Sequence, residues 1–257
     1  MGSLRIGVAL WSFGPTPDMA ALENSLQTAV DVGVKGVQLW VVGGVLDPDN
    51  LTSKQARADV VRKVESMGLA ITGLCAHMPP FNDPDGLEAR VERTKKALEL
   101  SVDLGAPIIT GHVGHIPDDL DDPGWKLLAQ SLGEVAECGA EIGACLAIEI
   151  GQESPEAMRQ FIEAVDSPGL QVNFDPANIR RFGVRHSVEV LKEYIVHSHA
   201  KDGGKGSSTV GTGVVPWDEY IALMRQIGYD GWHAIEDESE RDVVESVRRG
   251  REFLEKY

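Results

Sequence analysis

The sequence predicts an α/β protein folded as one (β/α)8 TIM barrel domain over residues 1–257, on three observations. Eight short, apolar, β-branched-rich runs alternate with amphipathic segments of helical spacing. Six of the runs follow a glycine placed where a helix should end: Gly33, Gly68, Gly105, Gly143, Gly169 and Gly228. Glycine tolerates the left-handed conformation just past a helix, and a short apolar run after it reads as a buried parallel strand. No domain-sized linker interrupts the alternation, which is the signature of a closed barrel.

In order, the first strand is expected at 4–12. Its run IGVALWSF has one basic residue, Arg5, beside it and ends in Gly14-Pro15-Thr16-Pro17 with no small-residue cleavage pattern, unlike a signal peptide. The first helix lies in Asp18–Val32, where Leu22, Leu26, Ala29 and Val30 make one stripe. A strand at 36–40 leads to a helix in Ser53–Met67 with Val60, Val61, Val64 and Met67 on one face. Strands follow at 70–77, 107–114 and 145–151. Ser154 then caps a helix with Pro155 in its first turn, running through Val165. After a strand at 170–176 the sixth helix, near Val188–Glu193, is short and has no glycine behind it. Strands at 195–202 and 231–238 and a helix at about 240–255 complete eight units. A doubly wound open sheet would carry a glycine-rich phosphate loop after its first strand. Leu10-Trp11-Ser12-Phe13-Gly14 is not one.

Composition narrows the partners. A chain of 257 residues, 42% hydrophobic, suffices for one sizeable core. A formal charge of −16 argues against nucleic acid, whose phosphates are bound by clustered Lys and Arg. No stretch approaches the ~20 apolar residues of a membrane span. The three cysteines, Cys75, Cys138 and Cys145, form no CxxC pair and read as reduced thiols of a cytoplasmic protein.

Barrel chemistry sits at the C-terminal ends of the strands. Those ends carry Trp11, Trp40, His77, His112, Glu149, Asp175, His199 and Glu236. Four of them, Glu149, Asp175, His199 and Glu236, close four successive apolar runs and offer three carboxylates and one imidazole, a ligand set for a divalent cation. Alone, each has a duller reading: Glu149 as a buried ion-pair partner, Asp175 before Pro176 as a turn opener, Glu236 as surface beside Asp237 and Glu238, His199 as a core histidine. Together they fall at one height of one barrel, where three buried carboxylates demand a cation. Period-2 alternation places Ala147, Asn173, His197 and Ala234 one layer below and Gly151, Ala177, Lys201 and Glu238 one layer above.

The motifs HVGHIPDD (112–119), IEIGQE (148–153), VNFDPANI (172–179), HSHAKDG (197–203), GTG (211–213) before Trp217 and IGYDGWHAIE (227–236) resemble the xylose isomerase-like barrel superfamily of sugar isomerases and epimerases, which includes endonuclease IV-type apurinic endonucleases. The resemblance covers almost the whole chain. It implies one divalent metal on Glu149, Asp175, His199 and Glu236, with Mn²⁺ expected and Mg²⁺, Co²⁺ and Zn²⁺ also suited to the set. It implies Glu149 and Glu236 as the acid/base pair. Substrate contacts would come from His77, His112, Asn178 and Lys201, with Trp11 and Trp40 as apolar walls. The nuclease pattern has His where Asn178 stands and an Asp-x-His missing from the segment after HSHAKDG, so a three-metal cluster is not expected. The combination of FDPAN and HAKD resembles a sugar phosphate isomerase/epimerase subgroup, some of whose relatives act on 3-keto-glycosides.

The expected activity is that of a sugar or keto-sugar isomerase/epimerase working by proton abstraction beside a carbonyl through an enediolate. The alternative is a lyase or deglycosidase that expels an aglycone from a 3-keto-glycoside at the same site; phosphodiester cleavage at abasic DNA is the remote one, and a non-catalytic sugar sensor a third. Expected partners are a small-molecule sugar, a second copy of the chain or a partner subunit, and neither nucleic acid nor membrane.

Overall fold

The computed structural model describes residues 2–151, 153–203, 209–239 and 242–257. Eight strands, Arg5–Ala9 (β1), Gly36–Trp40 (β2), Ala70–Cys75 (β3), Ile108–Gly111 (β4), Cys145–Glu149 (β5), Leu170–Phe174 (β6), Ile195–Ala200 (β7) and Trp232–Ile235 (β8), pair in chain order. All pairs are parallel, and β1 returns to β8 to close the barrel. Helices Met19–Val32 (α1), Lys54–Ser66 (α2), Leu87–Asp103 (α3), Pro123–Ile142 (α4), Pro155–Val165 (α5), Val184–Leu191 (α6), Trp217–Gln226 (α7) and Val243–Leu254 (α8) follow the strands one by one. The expected (β/α)8 barrel is therefore the observed one. Among the described residues no helix is long and apolar enough to cross a membrane.

Local chemistry explains the elements. Asp18, Ser53, Asp122 and Ser154 cap α1, α2, α4 and α5 by accepting backbone N–H groups, and Pro123 and Pro155 occupy first turns. Apolar helix stripes (Leu22 and Leu26 of α1, Val60 and Val64 of α2, Leu128 and Leu132 of α4) join Val37, Leu39, Leu74, Ile109, Leu146, Ile148, Val172 and Phe174 of the strands in one buried cluster. Within β5 these residues alternate with Ala147 and Glu149, as barrel pleating requires.

Three details differ from the sequence reading. All strands but β2 stop two or three residues before their expected ends. Ala76, Val113 and Ile150 lie beyond the ladders yet are buried, so the apolar pattern reported burial rather than pairing. Leu10–Phe13 forms a 3-10 turn instead of continuing β1. The sixth helix begins at Val184 and ends at Leu191, because its stripe is Val184, Ser187, Val188 and Leu191. Five of the six marker glycines do adopt positive φ. Gly169 does not: Asp166 (φ 51°) ends α5 in the left-handed region. Gly169 is instead a packing glycine, since a Cβ there would lie 1.9 Å from the carbonyl oxygen of Ala136 in α4. The expected helix start at 240 and part of the 203–213 segment fall outside the described residues.

Candidate metal centre

The four residues picked out as ligands converge. Glu149 closes β5, Asp175 and Glu236 follow β6 and β8 directly, and His199 is the penultimate residue of β7. All are buried, Asp175 and His199 completely. One ligand-type atom from each lies within 4.8 Å of those of the others. His199 Nδ1 is 3.4 Å from Glu149 Oε1 and 3.5 Å from Glu236 Oε2.

The two oxygens of Asp175 have different surroundings. Oδ1 accepts the backbone N–H groups of Ala177 (2.8 Å) and Asn178 (3.0 Å), so the turn chemistry of Asp-Pro is present. Oδ2 is buried and has no hydrogen-bond partner. A buried carboxylate oxygen without a donor is costly, and a cation held among the four residues would satisfy it. The residues therefore fit a divalent ion.

The orientation of His199 is set from below. Gln38 donates its amide N–H to Thr110 Oγ1 (2.8 Å), which turns its carbonyl oxygen toward His199 Nε2 at 2.9 Å. That arrangement assigns the hydrogen to Nε2. Asn173 Nδ2 lies 3.2 Å from Nδ1 and 3.5 Å from Nε2. A donor on the in-plane lone pair of Nδ1 would be much farther from Nε2, so Asn173 rests against the ring face. Nδ1 remains directed at the carboxylates. Asn173 Oδ1 also meets His197 Nδ1 at 2.9 Å. Irregular registers occur in β2 between Val37 and Gln38 and in β6 between Val172 and Asn173. In each case the extra residue is on the partner strand, Thr72 of β3 and Val196 of β7, so it is β7, bearing His199, that is re-phased against Asn173.

The other six sequence candidates complete a circuit of contacts around the mouth. Trp11 Nε1 donates to Glu236 Oε1 (3.1 Å), and its ring meets Trp40 edge-on at 5.6 Å. Trp40 lies near-parallel to His77 (6.4 Å, 28°), and His77 meets His112 at 5.2 Å. His112 Nε2 is 3.6 Å from Glu149 Oε2, and Asn178 Nδ2 donates to Glu149 Oε1 (3.1 Å). Lys201 Nζ bridges Glu236 Oε2 (3.0 Å) and Glu238 Oε2 (2.8 Å).

The electrostatics are those of a site built around positive charge. Burial, reinforced by the charge of Glu149, pushes Asp175 up to about 7. Burial acts the same way on Glu149, but the His199 imidazolium overrides it and holds Glu149 well below the usual carboxylate range. Against its own burial, His199 is raised to about 9 by Glu149 and Glu236. Lys201 is raised against burial by Glu236 and Asp175. Without a metal, protons on His199 and Lys201 balance the carboxylates.

Sequence reasoning missed three residues. Gln38 stands two before Trp40 on β2, so the alternation used for β5–β8 points to it once extended to β2. Asp202 accepts N–H groups from Gly211, Gly213 and Val215 and the indole N–H of Trp217, and so ties the loop after β7 to α7. Glu153 is buried with an unpartnered Oε1, and burial raises its carboxyl. No spacing rule marks it.

A family model described as xylose isomerase-like TIM barrel matches residues 26–257. The L-ribulose-5-phosphate 3-epimerase of Escherichia coli O157:H7 is 23% identical over 220 residues, covering 79% of this chain and 77% of that protein. The structure of a 3-keto-D-glucoside 4-epimerase from E. coli superposes with a TM-score of 0.78 at 16% identity, covering 99% of this chain and 100% of the other. That of a probable 3-DHS dehydratase from Bacillus anthracis superposes with a TM-score of 0.79 at 17% identity, covering 98% of each chain.

Proposed function

The chain belongs to the xylose isomerase-like TIM barrel family, and on that premise we propose that it is a divalent-metal-dependent isomerase or epimerase of sugars or keto-sugars. The observation that carries this reading is the convergence of Glu149, Asp175, His199 and Glu236 within 4.8 Å, with Asp175 Oδ2 buried and unpartnered. These four residues would hold the ion, Mn²⁺ by preference, since three carboxylates and one imidazole suit a divalent cation of that kind. When bound, the ion polarises the substrate carbonyl and stabilises the negative charge that develops on its oxygen.

The chain's own groups do the rest. Glu149 and Glu236 form the acid/base pair, a role that requires the substrate to bind between them. One takes the proton from the carbon beside the carbonyl, and the electron pair of that C–H bond moves toward the carbonyl oxygen. The other delivers a proton to the opposite face, giving an epimer, or to the former carbonyl carbon, giving an isomer once the neighbouring hydroxyl passes its proton to the former carbonyl oxygen and becomes the new carbonyl. Asn178 and His112 hold Glu149 in place, as Trp11 and Lys201 hold Glu236. Trp11 and Trp40 wall the sugar, while His77, His112, Asn178 and Lys201 position its hydroxyls. Elimination of a β-substituent from the same carbanion is the second reading, favoured by the fold shared with a dehydratase. Cytoplasmic residence accords with three unpaired thiols, Cys75, Cys138 and Cys145.

The test is metal analysis followed by deuterium wash-in over a panel of ketoses and 3-keto-glycosides. Exchange at one carbon is expected with Mn²⁺-loaded protein and is lost in Glu149→Gln and Glu236→Gln. Product analysis then separates epimerisation from elimination. Absence of exchange across the panel with metal bound refutes the proposal.

A further inference from the structure

Next to the metal centre lies a cavity of about 400 Å³ whose lining beyond Trp11 and Trp40 the proposed chemistry leaves unused. We propose that it is a subsite for an uncharged, flat aglycone, so that the substrate is a glycosidic keto-sugar rather than a sugar phosphate. The substrate class rests on the enolisation reading above.

The cavity is built by the loops after β1 and β2, and Trp11 and Trp40 belong to both it and the site. Its volume falls in the range of small-molecule pockets. None of its ten lining residues carries a charge, and Thr16 has the only side-chain hydroxyl among them. The polar atoms of both tryptophans are engaged elsewhere. Trp11 Nε1 donates to Glu236, and Trp40 Nε1 donates to the carbonyl of Val42 at 2.6 Å. What the two indoles offer the cavity is ring carbon, which favours a flat apolar group in stacked or edge-on contact. A phosphate placed there would lose its hydration without finding a cation.

The cavity is also preformed. Val45 N donates to Thr16 O (3.1 Å), joining its two loops. They meet so closely at Gly44 (φ 107°) that a Cβ would lie 2.6 Å from Thr16 O. The buried carboxylate of Asp47 accepts the N–H of Gly43 (2.6 Å) and pairs with Arg93, which fixes the second loop to α3. Rigid walls lower the ordering cost of binding.

Calorimetric binding of phenyl β-D-glucoside, methyl β-D-glucoside and methyl β-D-glucoside 6-phosphate to the Mn²⁺-loaded protein tests the subsite without turnover, since each is locked as an acetal and presents no carbonyl. The phenyl glycoside should bind at least about tenfold tighter than the methyl glycoside, from the apolar area its ring buries. Thr16→Trp, which fills the cavity, should abolish that preference and leave methyl glucoside binding unchanged. Val42→Phe serves where Thr16→Trp does not fold. Equal affinity for the phenyl and methyl glucosides, tighter binding of methyl β-D-glucoside 6-phosphate, or no binding of any of the three overturns the subsite. Deuterium exchange into an unsubstituted ketose reports on enolisation separately: if it persists while glycoside discrimination is absent, only the subsite falls.

Discussion

At the level of single residues, the site depends on a few groups whose partners leave them one orientation. Gln38 is the clearest, because its amide is fixed by Thr110 and its oxygen receives His199 Nε2. Gln38→Leu leaves that nitrogen without its acceptor in a fully buried position. Loss of such an outer contact typically lowers metal affinity by roughly 10–100-fold. Mn²⁺ titration followed by paramagnetic resonance should show this loss, together with a lower thermal midpoint of the metal-free protein from the unpaired buried N–H; undiminished affinity would exclude the orienting role. His199 also sets the pH dependence of binding. Its metal-free value is raised to about 9, so at neutral pH the ion must displace its proton. Affinity should therefore rise about tenfold per pH unit between 7 and 9, more steeply below 7 where Asp175 must also lose its proton, and level off above 9, with release of about one proton near pH 8 measurable in buffers of different ionisation enthalpy. A flat profile between pH 7 and 9 would mean that the histidine is already neutral. All four proposed ligands were legible as strand-end residues of ligand type. Gln38 was not, because a neutral amide in a strand is chemically ordinary until its neighbours are known.

Among the elements, the helix–glycine–strand rhythm marked the units correctly, and its exception is informative. Gly169 looks like the other five marker glycines in sequence, yet the left-handed turn after α5 is made by Asp166. The glycine is needed because β6 begins against the backbone of α4, with Ala136 O at 1.9 Å from where a Cβ would stand. Gly169→Ala must push the strand and helix apart, at an expected cost of about 2–3 kcal/mol. Urea unfolding checks this, and a loss below about 0.5 kcal/mol would return Gly169 to the role of a surface turn residue. The two register shifts had no sequence signal. A bulge arises from how two strands pair, and an apolar run looks the same with or without one. The short sixth helix was displaced in the sequence reading because neither end carries a capping side chain or a closing left-handed glycine.

For the whole molecule, barrel closure sets both stability and chemistry. His233, buried on β8 near Ser198 and the rings of Tyr220 and Tyr229, is held down to about 4 by burial and by the charge of Arg225. Its folded value lies below its unfolded one of about 6.5, so the unfolded chain takes up the proton first. The contribution is fully present above pH 6.5 and is lost as the pH falls toward 4. Over that window about 3 kcal/mol should disappear. The difference between urea midpoints at pH 7 and pH 5 should become smaller in His233→Phe without vanishing, because burial also holds His197 low, and an unchanged difference would contradict the assignment. By itself the sequence determined that eight alternating units are present and that four metal-type ligands end four successive strands, because periodicity, turn glycines and residue chemistry are local properties. Only the tertiary structure decided that those ligand atoms lie within 4.8 Å, that Asp175 Oδ2 has no partner, that two amides aim at one imidazole, and that an uncharged cavity opens beside Trp11. Those facts depend on closure and strand register, which bring together residues far apart in the chain, and no local pattern encodes the distance between them.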